Sequence, residues 1–280
     1  MVAAMAFFAA VDAFVKLASQ SLGVGQIIAV SSAGTLLIFW GFMWRKGESL
    51  WTSLAWDRAV LLRTCGEALG SIAIVAALGM APLSSVVAVM QAQPLVVTLA
   101  AAVFLSEAVG WRRGVAIGLG FLGVMIVIRP GVGEFNPGLL WAPLALVGLT
   151  LRDLASRVLP ASVTTPFAVA WSMIPMTVIG TLIMFFQGGW QPMSGASWVW
   201  VLGISATVSV ALWALTSAMR LGEVSAVAPF RYSRMVFAMI IAFVVFRERP
   251  DLLTWVGVAL IVGSGVYSFL RERHLAARTP

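Results

Sequence analysis

Runs of about 20 apolar residues recur along the chain, each closed by Gly, Pro or a charged residue. A helix needs about 20 such residues to cross the hydrocarbon core of a bilayer, and those breaks mark its turns. The pattern predicts spans near 1–20, 25–44, 58–79, 83–105, 111–128, 138–158, 164–187, 197–218, 223–246 and 251–270. The expected fold is therefore an all-α polytopic membrane protein with ten transmembrane helices. Most connections are short, as in Gly79-Met80-Ala81-Pro82, and the longest, 45–57 and 188–196, leave no room for an inserted soluble domain.

Composition sharpens this reading. Hydrophobic residues make up 61% of the chain and charged ones 10%, with a mean hydropathy of +0.99. A soluble domain of this length needs more polar surface than that. The formal charge of +7 could point to nucleic acid, but cations gather in the cytoplasmic loops of polytopic proteins, so no nucleic-acid partner is expected. With both termini on one side, that side collects ten basic residues, among them Arg45, Lys46, Arg112, Arg157 and Arg271. The other side collects Arg129, Arg247 and Arg249. Both ends are thus placed in the cytoplasm. One cysteine, Cys65, and one histidine, His274 in the tail, leave no disulfide framework and no metal site, and no cofactor is called for. Asp12 and Lys16 interrupt the first apolar run, which also lacks a basic leader, so it reads as a span and not a cleaved signal. That span begins almost at Met1, which leaves an upstream extension open.

An internal repeat follows. Residues 76–107 align without a gap on 217–248, matching Ala77 with Ala218, Ser84 with Ser225, Val86 with Val227 and Glu107 with Glu248. This divides the chain into halves 1–131 and 132–273, with a cytoplasmic tail 274–280. Five spans per half is an odd number, so the second half is inverted relative to the first, an arrangement that supports alternating access.

The stretch Ala228–Arg273 resembles the EamA family, a branch of the drug/metabolite transporter superfamily. Ala228-Pro229-Phe230, Tyr232, the turn Glu248-Arg249-Pro250-Asp251 and a closing span ending in Gly-x-Tyr carry the likeness. Leu83–Gly131 repeats the same plan in the first half. The resemblance implies ten helices in two inverted halves around a central pathway. It also implies a bacterial inner-membrane location and substrates such as amino acids, vitamins and other metabolites.

Ionisable groups at membrane depth cost at least about 2.5–3.5 kcal/mol each, so they face a polar cavity or a partner. Asp12 and Lys16 stand at i and i+4, as do Arg63 and Glu67. Each couple reads either as a local ion pair or as part of a pathway. Arg152, Asp153 and Arg157 read as snorkelling or loop anchors at a span end. Arg231 and Arg234 share a span with no acid of its own and require anionic partners, for which Glu67 and Asp12 are candidates. Five cations against three acids across the spans suit an anionic or zwitterionic substrate.

Gln91 aligns with Tyr232 and Gln93 with Arg234 across the repeat, where a midplane site belongs. Pro94 and Pro229 are expected to kink their helices and free backbone carbonyls, or merely to shape packing. Trp171 and Trp213 lie deep enough to stack on a planar substrate or to pack against lipid. Gly114–Gly118 and Gly263–Gly265 read as close helix contacts. The chain lacks a Walker motif, so the reading is a secondary transporter of a small metabolite (amino acid, carboxylate or vitamin-like). Its substrate residues would be Arg231, Arg234, Tyr232, Gln91, Gln93, Trp171, Trp213 and Arg63. Asp12, Lys16 and Glu67 would form a charge network open to coupling with protons. The alternative is an intramembrane enzyme acting on a lipid-linked substrate.

Overall fold

The computed structural model describes residues 1–104, 111–129, 135–221 and 228–276. Among them are eleven α-helices and no strand: α1 Val2–Ala18, α2 Val24–Arg45, α3 Arg58–Met80, α4 Leu83–Met90, α5 Gln93–Phe104, α6 Trp111–Ile128, α7 Trp141–Arg157, α8 Thr165–Phe186, α9 Gly195–Leu221, α10 Ser233–Val244 and α11 Leu252–Ala276. Six of these regions are long and apolar enough to cross a membrane: α2, α3, α7 with the turn before it, α8, α9 and α11. Large apolar side chains such as Leu37, Trp44, Phe185 and Leu252 are exposed around the bundle. That surface is stable against acyl chains and not against water.

The expected span 83–105 is two helices. Pro94 has no N–H to give the carbonyl four residues back, and its ring crowds that carbonyl, which belongs to Met90. Met90 is the last residue of α4, and Gln91 and Ala92 form the break before α5. The backbone is bent where two glutamines project. Pro229 lies in a 3-10 turn, Ala228–Tyr232, that leads into α10. Glu107 lies outside the described residues.

Glycines set the closest helix contacts. A Cβ at Gly66 would lie 2.5 Å from the backbone nitrogen of Arg152 and 2.7 Å from the carbonyl oxygen of Gly148. One at Gly148 would lie 2.7 Å from the Cα of Gly70, so α3 and α7 touch backbone to backbone. Gly123 and Gly257 do the same for α6 and α11. The expectation for Gly114, Gly118 and Gly263 is corrected: among the described residues, a Cβ at any of them meets nothing within 4 Å. Motif spacing fixes a helix face, but only the neighbour's position decides whether that face is covered. The main contacts pair α2 with α8, α3 with α7, α1 with α9, α1 with α10 and α6 with α11. At one end of the bundle, Arg129 closes α6 in a left-handed conformation (φ 52°) and bonds Asp251 at the start of α11. With help from Thr254, that guanidinium holds the Asp251 carboxyl down to about 2.

Candidate functional site

The α3–α7 contact carries the first part of the site. Because Gly66 admits the α7 backbone, Arg152 is buried beside Glu67, with Nη1 3.5 Å from Oε1. Arg63 lies 3.8 Å from Glu67 Oε2 and donates to Ala168 O at 2.8 Å and Ser172 Oγ at 2.6 Å. Ser71 donates to Glu67 Oε1 at 3.3 Å. Glu67 Oε2 accepts no hydrogen bond among the described residues, although it is buried.

The second part comes from the broken helix and α10. Arg234 forks onto Asp12, with Nε 3.0 Å from one oxygen and Nη2 2.7 Å from both. Its guanidinium also lies 5.5 Å from the Phe8 ring centroid. Asp153 accepts from Gln93 at 2.9 Å, from Arg152 at 2.9 and 3.0 Å, and from Arg231 at 3.1 Å. Gln91 donates to the carbonyl of Tyr232 at 3.2 Å, so these repeat-related positions meet. The Tyr232 hydroxyl reaches Gly265 on α11, where a side chain would not fit.

These groups surround two spaces. A chamber of about 110 Å³ is walled by Asp12, Glu67, Gln91, Gln93, Pro94 and Tyr232, with Arg152, Arg231 and Arg234. A larger cavity of about 380 Å³ is lined by Arg63, Arg152, Arg157 and Arg231, with Asp153 as its acid. Arg152, Arg231 and Leu215 belong to the walls of both. The larger cavity reaches the surface at Ser156, Arg157 and Ala161, all exposed. Its net positive lining attracts anions, and the chamber behind it holds nearly balanced charge in apolar surroundings.

Several expectations are corrected by this geometry. Asp12 and Lys16 do not pair. Asp12 takes a bidentate guanidinium from α10, whereas Lys16 turns to Glu248 at 3.6 Å and to the carbonyl of Ala81 at 2.7 Å. The fork supplies several charge-assisted bonds where an ammonium one turn away supplies at most one or two. Arg63 and Glu67 do approach each other, but Glu67 is shared with Arg152. Arg152 and Asp153 are not snorkelling anchors. The glycine contact holds them inward, and Asp153, not Glu67, is the partner of Arg231. Glu248 raises the acids in the network to four, so the cation surplus is one and not two. Trp213 is 46% exposed beside Phe42, and Trp171 packs against Phe167 and Trp51, so neither lines the chamber or the cavity. Apolar indoles gain more from lipid and from one another than from a charged wall. A signal for Asp153 was present in the sequence. The 141-residue shift of the repeat also sets Asp153 on Asp12 and Arg157 on Lys16.

Comparison with known proteins places this architecture. A solved crystal structure superposes with a TM-score of 0.67 over 98% of each chain at 19% identity, a likeness of fold alone. An S-adenosylmethionine uptake transporter of Rickettsia felis is 27% identical over 208 residues, covering 72% of this chain and 68% of that protein. A riboflavin transporter of Vibrio cholerae is 29% identical over 212 residues, covering 70% and 67%. A riboflavin transporter of Brucella anthropi is 26% identical over the full length of both chains. The EamA-like transporter family model matches residues 1–129 and again 136–270. A multi-pass membrane protein of this build, with such relatives, is a transporter and not the intramembrane enzyme of the alternative reading. The chain belongs to the EamA-like transporter family, within the drug/metabolite transporter superfamily.

Proposed function

We propose that this protein is a secondary transporter that carries a small anionic or zwitterionic metabolite across the bacterial inner membrane by alternating access. The observation that carries the proposal is the meeting of polar side chains from both halves of the chain around one chamber inside an apolar bundle. Ionisable groups at membrane depth are rare, and here they both pair with one another and line a shared cavity, as on a polar pathway. In this reading the chain has ten spans in two inverted halves, 1–131 and 132–273, with both termini and the tail 274–280 in the cytoplasm. The exchange of partners between halves, α1 with α9 and α7 with α3, supports that division.

Within the site, Arg231, Gln91, Gln93 and Tyr232 contact the substrate, and Arg63 guides its anionic group through the larger cavity. Arg234 acts at the chamber wall while holding Asp12. Asp12 and Glu67, both buried at the chamber wall and both paired with arginines, are the candidate coupling carboxylates. S-adenosylmethionine, named for the Rickettsia relative, bears a carboxylate and an ammonium group beside its sulfonium, so its amino-acid end meets this chemistry. Riboflavin, named for the Vibrio relative, is of similar size but presents a planar ring system and no carboxylate.

The test is a thermal-shift screen of the detergent-purified protein against amino acids, carboxylates, S-adenosylmethionine and riboflavin. The screen is repeated on Arg231→Ala and Gln93→Ala. A charged compound should raise the unfolding temperature of the parent and lose that effect in both variants. Stabilisation that survives both substitutions would remove the site from this chamber.

A further inference from the structure

The 110 Å³ chamber has two ends. On the Arg157 side it adjoins the cavity that reaches the surface. On the other side it is lined by Met90, the last residue of α4, and every α4 residue except Ser85 is buried. Beyond α4 lies a cluster built from three places in the sequence. The Glu248 carboxylate, in the turn between α10 and α11, accepts from the backbone nitrogens of Leu83 at 2.8 Å and Ser84 at 2.9 Å. It also accepts from Ser84 Oγ at 2.7 Å. Lys16, at the end of α1, lies 3.6 Å from Glu248 and donates to Ala81 O at 2.7 Å. The Lys16 ammonium also sits 5.6 Å from the ring centroid of Phe246.

We propose that Lys16 and Glu248 form the gate at this end of the transport pathway, closed in this structure while the Arg157 end stands open. The inference rests on the alternating-access reading above. Its physical basis is the way α4 is capped. The residue before the helix is Pro82, which makes no side-chain cap, so two of the orphan N–H groups of α4 are satisfied by a carboxylate from the other half of the chain. The carboxylate is also favoured by the positive end of the helix. Separating the halves here must therefore break a charge-assisted cap and an ion pair together, a cost that holds the gate shut until binding at the chamber offsets it. A left-handed Arg247 (φ 54°) turns the chain so that Glu248 points back at α4. At the open end, Arg157 occupies the position that the 141-residue shift relates to Lys16, and it is exposed at the mouth of the cavity. Related basic residues are thus engaged at the closed end and solvated at the open one.

Spin labels test this without any substrate. Cysteines replace Gln20 and Arg249, both exposed at the closed end, in a full-length Cys65→Ser background, and the label-to-label distance is read by pulsed electron resonance. The parent should give one short distribution. Glu248→Gln, which weakens the cap, and Lys16→Met, which leaves the cap in place, should each add a second, longer population. If both variants keep the single distribution of the parent, the pair is a static staple and the proposal is overturned. Two variants guard against one that fails to fold. Because no ligand is used, failure of the chamber reading in the thermal-shift screen and failure of the gate are separately visible.

Discussion

At the scale of single residues, the site is governed by partners that lie far apart in the chain. Asp12 and Arg234 are separated by 222 positions and form a buried bidentate pair, with Asp12 2% exposed. Removing one member of such a pair leaves the other charge without compensation, at a cost of about 3–5 kcal/mol, whereas neutralising both costs far less. Arg234→Ala should therefore lower stability by that amount in denaturant titrations of detergent-purified protein. The double variant Asp12→Asn with Arg234→Gln should recover most of the loss. A double variant as unstable as Arg234→Ala would show that packing around Phe8, and not charge, holds α10 to α1.

At the scale of elements, glycine placement decides where helices touch and hence which side chains share a cavity. Gly66→Ala drives a methyl group into the α7 backbone, where no flexible side-chain end can yield. The expected cost is about 1–3 kcal/mol or more, with Arg152 displaced from Glu67. Gly114→Ala, in the first turns of α6, meets no described atom within 4 Å and should stabilise by up to about 1 kcal/mol through helix propensity. Comparing the unfolding midpoints of the two variants separates a contact glycine from a spare one. Equal effects would contradict the backbone contact between α3 and α7. The same logic covers the α4–α5 break. Pro94 ends α4 at Met90, so Gln91 in the break faces Tyr232 and Gln93 at the start of α5 faces Asp153, a placement that a continuous helix would not provide.

For the whole molecule, the proposed pathway opens at the cavity near Arg157, whose charge sets the field for a substrate entering from that side. Four arginines against one aspartate concentrate anions at its mouth, an effect that weakens with ionic strength. Arg157→Glu should raise the KM for an anionic substrate several-fold in vesicle uptake and flatten its salt dependence. Lys46→Glu, at the exposed end of α2 and outside both cavities, should leave both unchanged. An identical response to the two reversals would assign the effect to net charge and not to the cavity.

The sequence by itself determined that the chain is a helical membrane protein and roughly where its helices run. In a bilayer every backbone polar group must be satisfied within its own segment, so apolar run length and breaks suffice. It also singled out Asp12, Glu67, Gln91, Gln93, Pro94, Arg231, Tyr232 and Arg234, which the structure brings around one chamber, but it read Arg152 as an anchor at a span end and related Gln91 to Tyr232 only by alignment. Only the tertiary structure decided which charges pair. Asp12 and Lys16 share a helix face, yet they turn to different helices, because partner choice depends on interhelical distances and on the geometry of a guanidinium fork. Arg152 and Asp153, near the end of a span in the sequence, are drawn inward by a glycine contact with α3 that no local pattern announces. Glu248 reads as a loop residue, and its role as a cap for α4 exists only where the two halves of the chain meet.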